Sequence, residues 1–144
     1  MATLYHQLQI KAASATIYQA LTTENGIGSW WDRPELLLHE GRTPEWAFRP
    51  GPGHGVLTMQ VLQTQPGQLV LWRCTSHHAA SSPASAWTDT LLRFELHAAN
   101  GGAETTLDFR HSGWDETSPY LGFCNHQWGI ALQALRRHCE QHPA

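Results

Sequence analysis

The sequence predicts an α+β domain: a curved antiparallel sheet of about six or seven strands wrapped around a long C-terminal helix, with two short helices after the first strand. Three observations carry this. Residues 3–11 alternate between apolar and polar with a period of two. From Glu35 to His111 the same alternation recurs in short runs broken by Pro and Gly. After Pro119 the apolar spacing changes to three and four. A sheet with one apolar face needs a cover, and the terminal helix is the one element long enough to supply it.

Each element follows in order. Leu4, His6, Leu8 and Ile10 share one face of a first strand, with Tyr5, Gln7, Gln9 and Lys11 on the other. Ser14 stands as an N-cap ahead of Ile17, Ala20 and Leu21 at helical spacing, and Gly28-Ser29-Trp30-Trp31 reads as a short second helix or turn. Leu36 to Glu40 forms a strand ending at Gly41, and Glu45 to Arg49 another, with Trp46 and Phe48 on one face, ending at Pro50-Gly51-Pro52-Gly53. Gly55 to Thr64 aligns Leu57, Met59 and Val61 and stops at Pro66-Gly67; Leu69 to Ser76 aligns Val70, Trp72 and Cys74. His77 to Ala86 is aperiodic and rich in Ala and Ser, a mobile loop by this reading. Thr88 to Leu96 puts Thr90, Leu92, Phe94 and Leu96 together; Asn100-Gly101-Gly102 is a hairpin signal, and Thr105 to His111 returns with Leu107, Phe109 and His111 inward. Ser118-Pro119 reads as cap and first-turn proline of a helix whose stripe is Leu121, Cys124, Trp128, Ala131, Leu132, Leu135 and Cys139, with Arg136, Arg137 and His138 favourably placed in its last turn.

With 144 residues, the chain is expected to form one domain over 1–144. A mass of 16.1 kDa corresponds to roughly 16,000 Å² buried on folding, enough for a core without disulfides or metal. A net charge of -3, with Lys11 the single lysine, argues against nucleic acid as a partner. Three cysteines without a close pair argue against a secreted disulfide framework. No basic start followed by an apolar stretch suggests a signal peptide, and no run approaches a membrane span, so a cytoplasmic protein is expected.

Several segments carry a resemblance: Ala20-Leu21-Thr22, Gly28-Ser29-Trp30-Trp31, Trp72-Arg73-Cys74, Trp87-Thr88-Asp89-Thr90, Phe109-Arg110-His111-Ser112-Gly113-Trp114, and Cys124 with Trp128 before Leu132 and Leu135. In these, spread over nearly the whole chain, it resembles the START-like superfamily (Bet v 1-like, SRPBCC), specifically the bacterial proteins related to the C-terminal domain of the activator of Hsp90 ATPase. The resemblance implies a helix-grip fold with a deep hydrophobic cavity between sheet and helix, and so a binding protein for an apolar or amphipathic small molecule.

Seven tryptophans in so short a chain fit that expectation. The residues expected to line the cavity are Trp31, Phe48, Met59, Trp72, Thr90, Phe94, Phe109, His111 and Trp128, with Trp46, Trp87 and Trp114 at its rim. Each has a plainer reading as core. His111 is inward by parity and needs a hydrogen-bond partner; the favoured reading is a structural histidine fixing the Ser112-Gly113-Trp114-Asp115 turn, with no catalytic residue assigned. A cavity enzyme of cyclase or hydrolase type is the alternative, and it requires polar partners converging on His111 from among His6, Thr88 and Thr90. A further alternative is a stress-related module contacting a chaperone through an exposed patch. Monomer and homodimer both suit these readings.

No metal or other cofactor is expected. Cys124-x-His126 and His138-Cys139-x-x-His142 offer ligand types but not the paired-cysteine knuckle of a structural zinc site. There is no Gly-x-Ser-x-Gly elbow, Asp115-Glu116 reads as a solvated turn, and Gly51-x-Gly53-x-Gly55 lacks the Lys-Ser ending of a phosphate loop.

Overall fold

Apolar alternation is what orders the sheet. The structure, a computed structural model describing residues 1–51 and 55–142, contains strands β1 (Ala2–Ile10), β2 (Glu35–Leu37), β3 (Glu45–Phe48), β4 (Leu57–Gln65), β5 (Leu69–Cys74), β6 (Leu91–Ala99) and β7 (Glu104–Trp114). Helices α1 (Ser14–Thr22) and α2 (Glu24–Gly28) follow β1, and α3 (Leu121–Gln141) closes the chain. All seven strands form one antiparallel sheet in the order β1-β7-β6-β5-β4-β3-β2. Cross-strand register puts Trp72 opposite Leu92, Val70 opposite Phe94, and Phe94 opposite Phe109, so the apolar residues of each strand meet on one face. Against that face α3 lays Cys124, Trp128, Leu132, Leu135 and Cys139, and α1 lays Ile17, Ala20 and Leu21. α3 is tied near both of its ends to β1 and the residue after it: the His6 ring pairs with Asn125 Oδ1 at 2.8 Å, and the Lys11 backbone N–H donates to Glu140 Oε2 at 2.9 Å. The opposite face is polar, with Tyr5 donating to Asp108 at 2.6 Å and Arg93 paired to Glu95.

The element boundaries depart from expectation where local chemistry outweighs pattern. The N-cap of α1 is Ala13, with no side-chain cap, and Ser14 is already helical. The second helix is Glu24–Gly28, earlier than expected, because Thr23 Oγ1 accepts from Gly26 N–H at 2.9 Å and starts it there. A Cβ on Gly26 would lie 2.4 Å from the Gln19 carbonyl, so only glycine lets α2 fold back onto α1. β2 is Glu35–Leu37, and Leu38 is exposed. β6 begins at Leu91 because Asp89 takes a left-handed φ of 67°, which breaks an extended run at Thr88. α3 starts at Leu121, after a turn in which Ser118 Oγ accepts from Tyr120 N–H at 3.2 Å. Pro52 and Gly53 of the expected turn, and with Gly53 the centre of the Gly51-x-Gly53-x-Gly55 run, lie outside the described residues.

Two irregularities re-aim side chains. Leu62 is the extra residue of a bulge between Val61 and Gln63, and it points outward. Near the end of β7, Ala2 pairs with Trp114 and Thr3 with Ser112, so Gly113 is skipped, at φ 91°. The skipped residue reverses the alternation and turns Trp114 inward, where it is 0% exposed. Among the described residues, no helix is long and apolar enough to cross a membrane.

Candidate functional site

The stretch expected to be a mobile loop is where the site begins. Ser82 Oγ accepts from Ala84 N–H at 3.3 Å and Pro83 opens a 3-10 turn, Pro83–Trp87, that lies against the N-terminal half of α3. Between them is a cleft of about 300 Å³ walled by Trp31, Phe48, Leu57, Trp87, Phe123 and Cys124, with Asp32 and Gln127 also lining it. A shallow extension of about 40 Å³ reaches Trp128 and Ala131. Trp31 touches Phe48 at 4.6 Å and Trp128 at 5.2 Å between ring centroids, and Trp87 stacks on Trp128 at 5.7 Å, so the floor is continuous aromatic surface.

Behind that floor lies a buried polar chain. Trp128 Nε1–H donates to His111 Nδ1 at 3.1 Å. An indole N–H can only donate, so Nδ1 is the acceptor and the neutral ring carries its proton on Nε2. His111 Nε2–H then donates to Thr90 Oγ1 at 2.8 Å, and the Thr90 hydroxyl donates to the Trp87 carbonyl at 2.5 Å. Burial, with no charged neighbour to offset it, pushes the His111 pKa down to about 3. Trp87 is held from its other end as well, its Nε1–H donating to Cys124 Sγ at 3.4 Å. The chain therefore pins two of the three tryptophans of the floor, Trp87 and Trp128.

Of the residues expected to line a cavity, Trp31, Phe48 and Trp128 face the cleft or its extension. Met59, Trp72, Phe94 and Phe109 instead belong to the buried core, where Phe94 contacts Trp72 and Phe109 at 5.0 Å each and Phe109 contacts Trp128 at 4.4 Å. Thr90 and His111 lie in the polar chain behind the floor. Trp87 does stand at the cleft. Trp114 does not flank an opening, since the Gly113 bulge buries it against His111 at 5.1 Å. Trp46 is likewise buried, at 4% exposure, under a separate depression of about 240 Å³ lined also by Trp72, Tyr18 and Leu36. A further depression of about 670 Å³ is a polar-lined groove at the Pro66-Gly67 hairpin, walled also by Arg93, Glu95 and His97 of β6, and none of the expected site residues lines it.

His111 does not fix the Ser112–Asp115 turn; its partners are Thr90 and Trp128, because parity aims it at the helix rather than along the strand end. Asp115 serves that turn, accepting from Thr117 N–H at 2.9 Å and Thr117 Oγ1 at 2.7 Å, bonds that lower its pKa. Of the candidate partners for acid–base chemistry only Thr90 meets His111, since Thr88 donates to the Ser76 carbonyl and His6 pairs with Asn125. Both His111 ring nitrogens are occupied, and Trp87 and Trp128 lie against the ring at 4.8 and 6.0 Å. Cys124 is committed to Trp87, His138 and His142 stack at 4.7 Å, and no three potential metal ligands converge among the described residues.

Sequence reasoning missed Asp32, Ser82, Pro83, Ala84, Phe123 and Gln127 as cleft residues. One signal was present: Ser82-Pro83 repeats the cap-plus-proline pair read at Ser118-Pro119.

The family model described as Activator of Hsp90 ATPase homolog 1-like protein matches residues 11–140. Among solved structures, the chain is similar to the Aha1 dimer from Colwellia psychrerythraea, with 28% identity, 97% of each chain covered and a TM-score of 0.79. It is similar to protein MLL2253 from Mesorhizobium loti, with 20% identity, 97% of this chain and 98% of that one covered, and a TM-score of 0.77. Similarity to CalU16 from Micromonospora echinospora has 18% identity, 99% of this chain and 76% of that one covered, and a TM-score of 0.73. The last two likenesses show the fold alone. Comparison with curated proteins gives no match.

Proposed function

We propose that this chain, which belongs to the Activator of Hsp90 ATPase homolog 1-like family, acts as a single START-like domain over residues 1–144 that holds a small apolar or amphipathic molecule in the cleft between the Pro83–Trp87 turn and α3. The helix-grip fold is in general that of a ligand-binding domain, and the chain has that fold. The single observation that carries the reading is the cleft itself: about 300 Å³, walled by Trp31, Phe48, Trp87 and Phe123, with few polar groups to fix orientation. A preformed aromatic floor, pinned from behind by His111 and Thr90, costs little to organise on binding.

The reading places the ligand on the helix side of the aromatic floor and not in a deep cavity behind it. It requires no chemistry of His111 and no second copy of the chain; a monomer or a homodimer serves equally. It assigns the protein to the cytoplasm, where three unpaired cysteines stay reduced. Tryptophan emission tests it directly. A panel of apolar and amphipathic compounds should include members that change the emission saturably in wild type and far less in Trp87→Leu, a variant first shown to be folded. If no compound gives a saturable change, the cleft is not a binding site.

A further inference from the structure

The cleft has an unusual balance of groups. Four aromatic side chains wall it, Trp31, Phe48, Trp87 and Phe123, and among the described residues its one charged lining group is the Asp32 carboxylate. Among the described residues, no Lys, Arg or His lines it. Asp32 is exposed and has no ion pair among the described residues. The cation beside it in sequence, Arg33, is turned away and donates to Asn25 Oδ1. An aromatic wall carries negative potential on its ring faces, and a nearby carboxylate adds to it. Such a pocket attracts a soft, weakly hydrated cation and repels a carboxylate or phosphate of the same shape.

Resting on the reading above, we infer that the cleft selects an organic cation: an alkyl- or arylammonium group seated among Trp31, Phe48, Trp87 and Phe123, with its charge facing Asp32. This narrows the ligand class sharply. Fatty acids and other anionic amphiphiles are disfavoured, and amines or quaternary ammonium compounds with an apolar body are favoured. The remaining polar groups fit that preference. Ser82 Oγ is buried and already accepts from Ala84 N–H, and the neutral Gln127 amide lies at the lip, so neither supplies a cationic donor for an anion.

The test uses three probes that differ in charge but little in shape: phenyltrimethylammonium, its neutral isostere tert-butylbenzene, and 4-tert-butylbenzoate. Each is titrated at fixed ionic strength against wild type, Asp32→Asn and Phe123→Leu, both substitutions being at exposed positions that the core does not need. The cation should bind at least about fivefold more tightly than the isostere, and the anion most weakly. Asp32→Asn should narrow the gap between cation and isostere about threefold, and Phe123→Leu should narrow it further, because leucine keeps apolar area but has no ring face. If the neutral isostere binds as well as the cation, the charge selection is overturned while the cleft remains a binding site. A preference for the cation that neither substitution changes means binding elsewhere, and overturns the inference too. If none of the three binds, both the inference and the reading beneath it fall.

Discussion

The Trp128 indole N–H donates to His111 Nδ1 at 3.1 Å, and this one contact determines which nitrogen of a buried histidine carries the proton. The rest of the polar chain follows from it, through Thr90 to the Trp87 carbonyl. A residue that parity alone marks as a candidate for chemistry is thereby a positioning residue for the aromatic floor.

That role predicts a split between two substitutions. His111→Ala leaves the Trp128 donor and the Thr90 hydroxyl without their partner and should cost about 3 kcal/mol. In His111→Gln the amide again offers an acceptor and a donor across one carbon, so most of the loss should be recovered. Urea unfolding of the three proteins, together with a cleft titration, reads this. A Gln variant with unchanged stability but lost binding contradicts the positioning role.

The pH dependence has a definite sign. The folded protein keeps His111 neutral down to about pH 3, whereas the unfolded chain takes up that proton near 6.5. The unfolded state therefore binds more protons between these values, and stability contributed by a neutral His111 is complete above about pH 6.5 and lost as pH falls toward 3, by ~1.4 kcal/mol for each pH unit. His111→Gln removes that slope. The stability difference between wild type and His111→Gln, measured by urea unfolding at pH 7 and pH 4.5, should move in favour of the Gln variant at the lower pH. A difference that does not change with pH contradicts a buried neutral histidine.

Gly113 tests the bulge that buries Trp114. Its φ of 91° strains any other residue, and an added Cβ would meet Thr90 Cα at 3.5 Å. Gly101, at φ 68° with nothing near it, carries the same backbone preference without the packing. Both Gly→Ala changes should cost roughly 1–2 kcal/mol. Only Gly113→Ala should also alter the near-ultraviolet circular dichroism, because only there does the chain aim an indole against His111. Identical spectra for the two variants contradict this account of the bulge.

These residues also show what a sequence can disclose. The inward positions of β5, β6 and β7 were legible because alternation in a half-buried strand is enforced by solvent on one side and core on the other, as at Val70, Trp72, Phe94 and Phe109. His111 was legible as inward for the same reason, but its partners were not, since Thr90 and Trp128 meet it only through the tertiary packing of β6 and α3. Trp114 was misjudged because one skipped glycine reverses parity without changing composition. The Pro83–Trp87 turn was overlooked because small residues such as Ala84 and Ala86 carry no periodicity, although the chain folds them against the helix. So the core could be read from pattern, while the cleft, made where a short turn meets α3, could not.

The three cysteines give an independent check on where the cleft is. Burial raises the pKa of Cys74 and Cys124 and pushes that of Cys139 up to about 11, so all three should react slowly with a thiol reagent in the folded protein. Cys124 is the one that lines the cleft, and its neighbour Trp87 offsets part of the effect of burial. Mass spectrometry after brief labelling should find Cys124 modified first, and a molecule seated in the cleft should slow that site alone. First labelling at Cys74 or Cys139 contradicts the placement.

The central claim is that ligands occupy the cleft in front of the aromatic floor, not the core behind it. The seven indole N–H groups are built-in reporters of that difference in a nitrogen-15 correlation spectrum. Saturation with phenyltrimethylammonium or tert-butylbenzene should shift the signals of Trp31 and Trp87, and to a lesser extent Trp128, while those of Trp46, Trp72 and Trp114 stay in place. Shifts centred on Trp72 and Trp114, or no shift in any of the seven with either compound, contradict it.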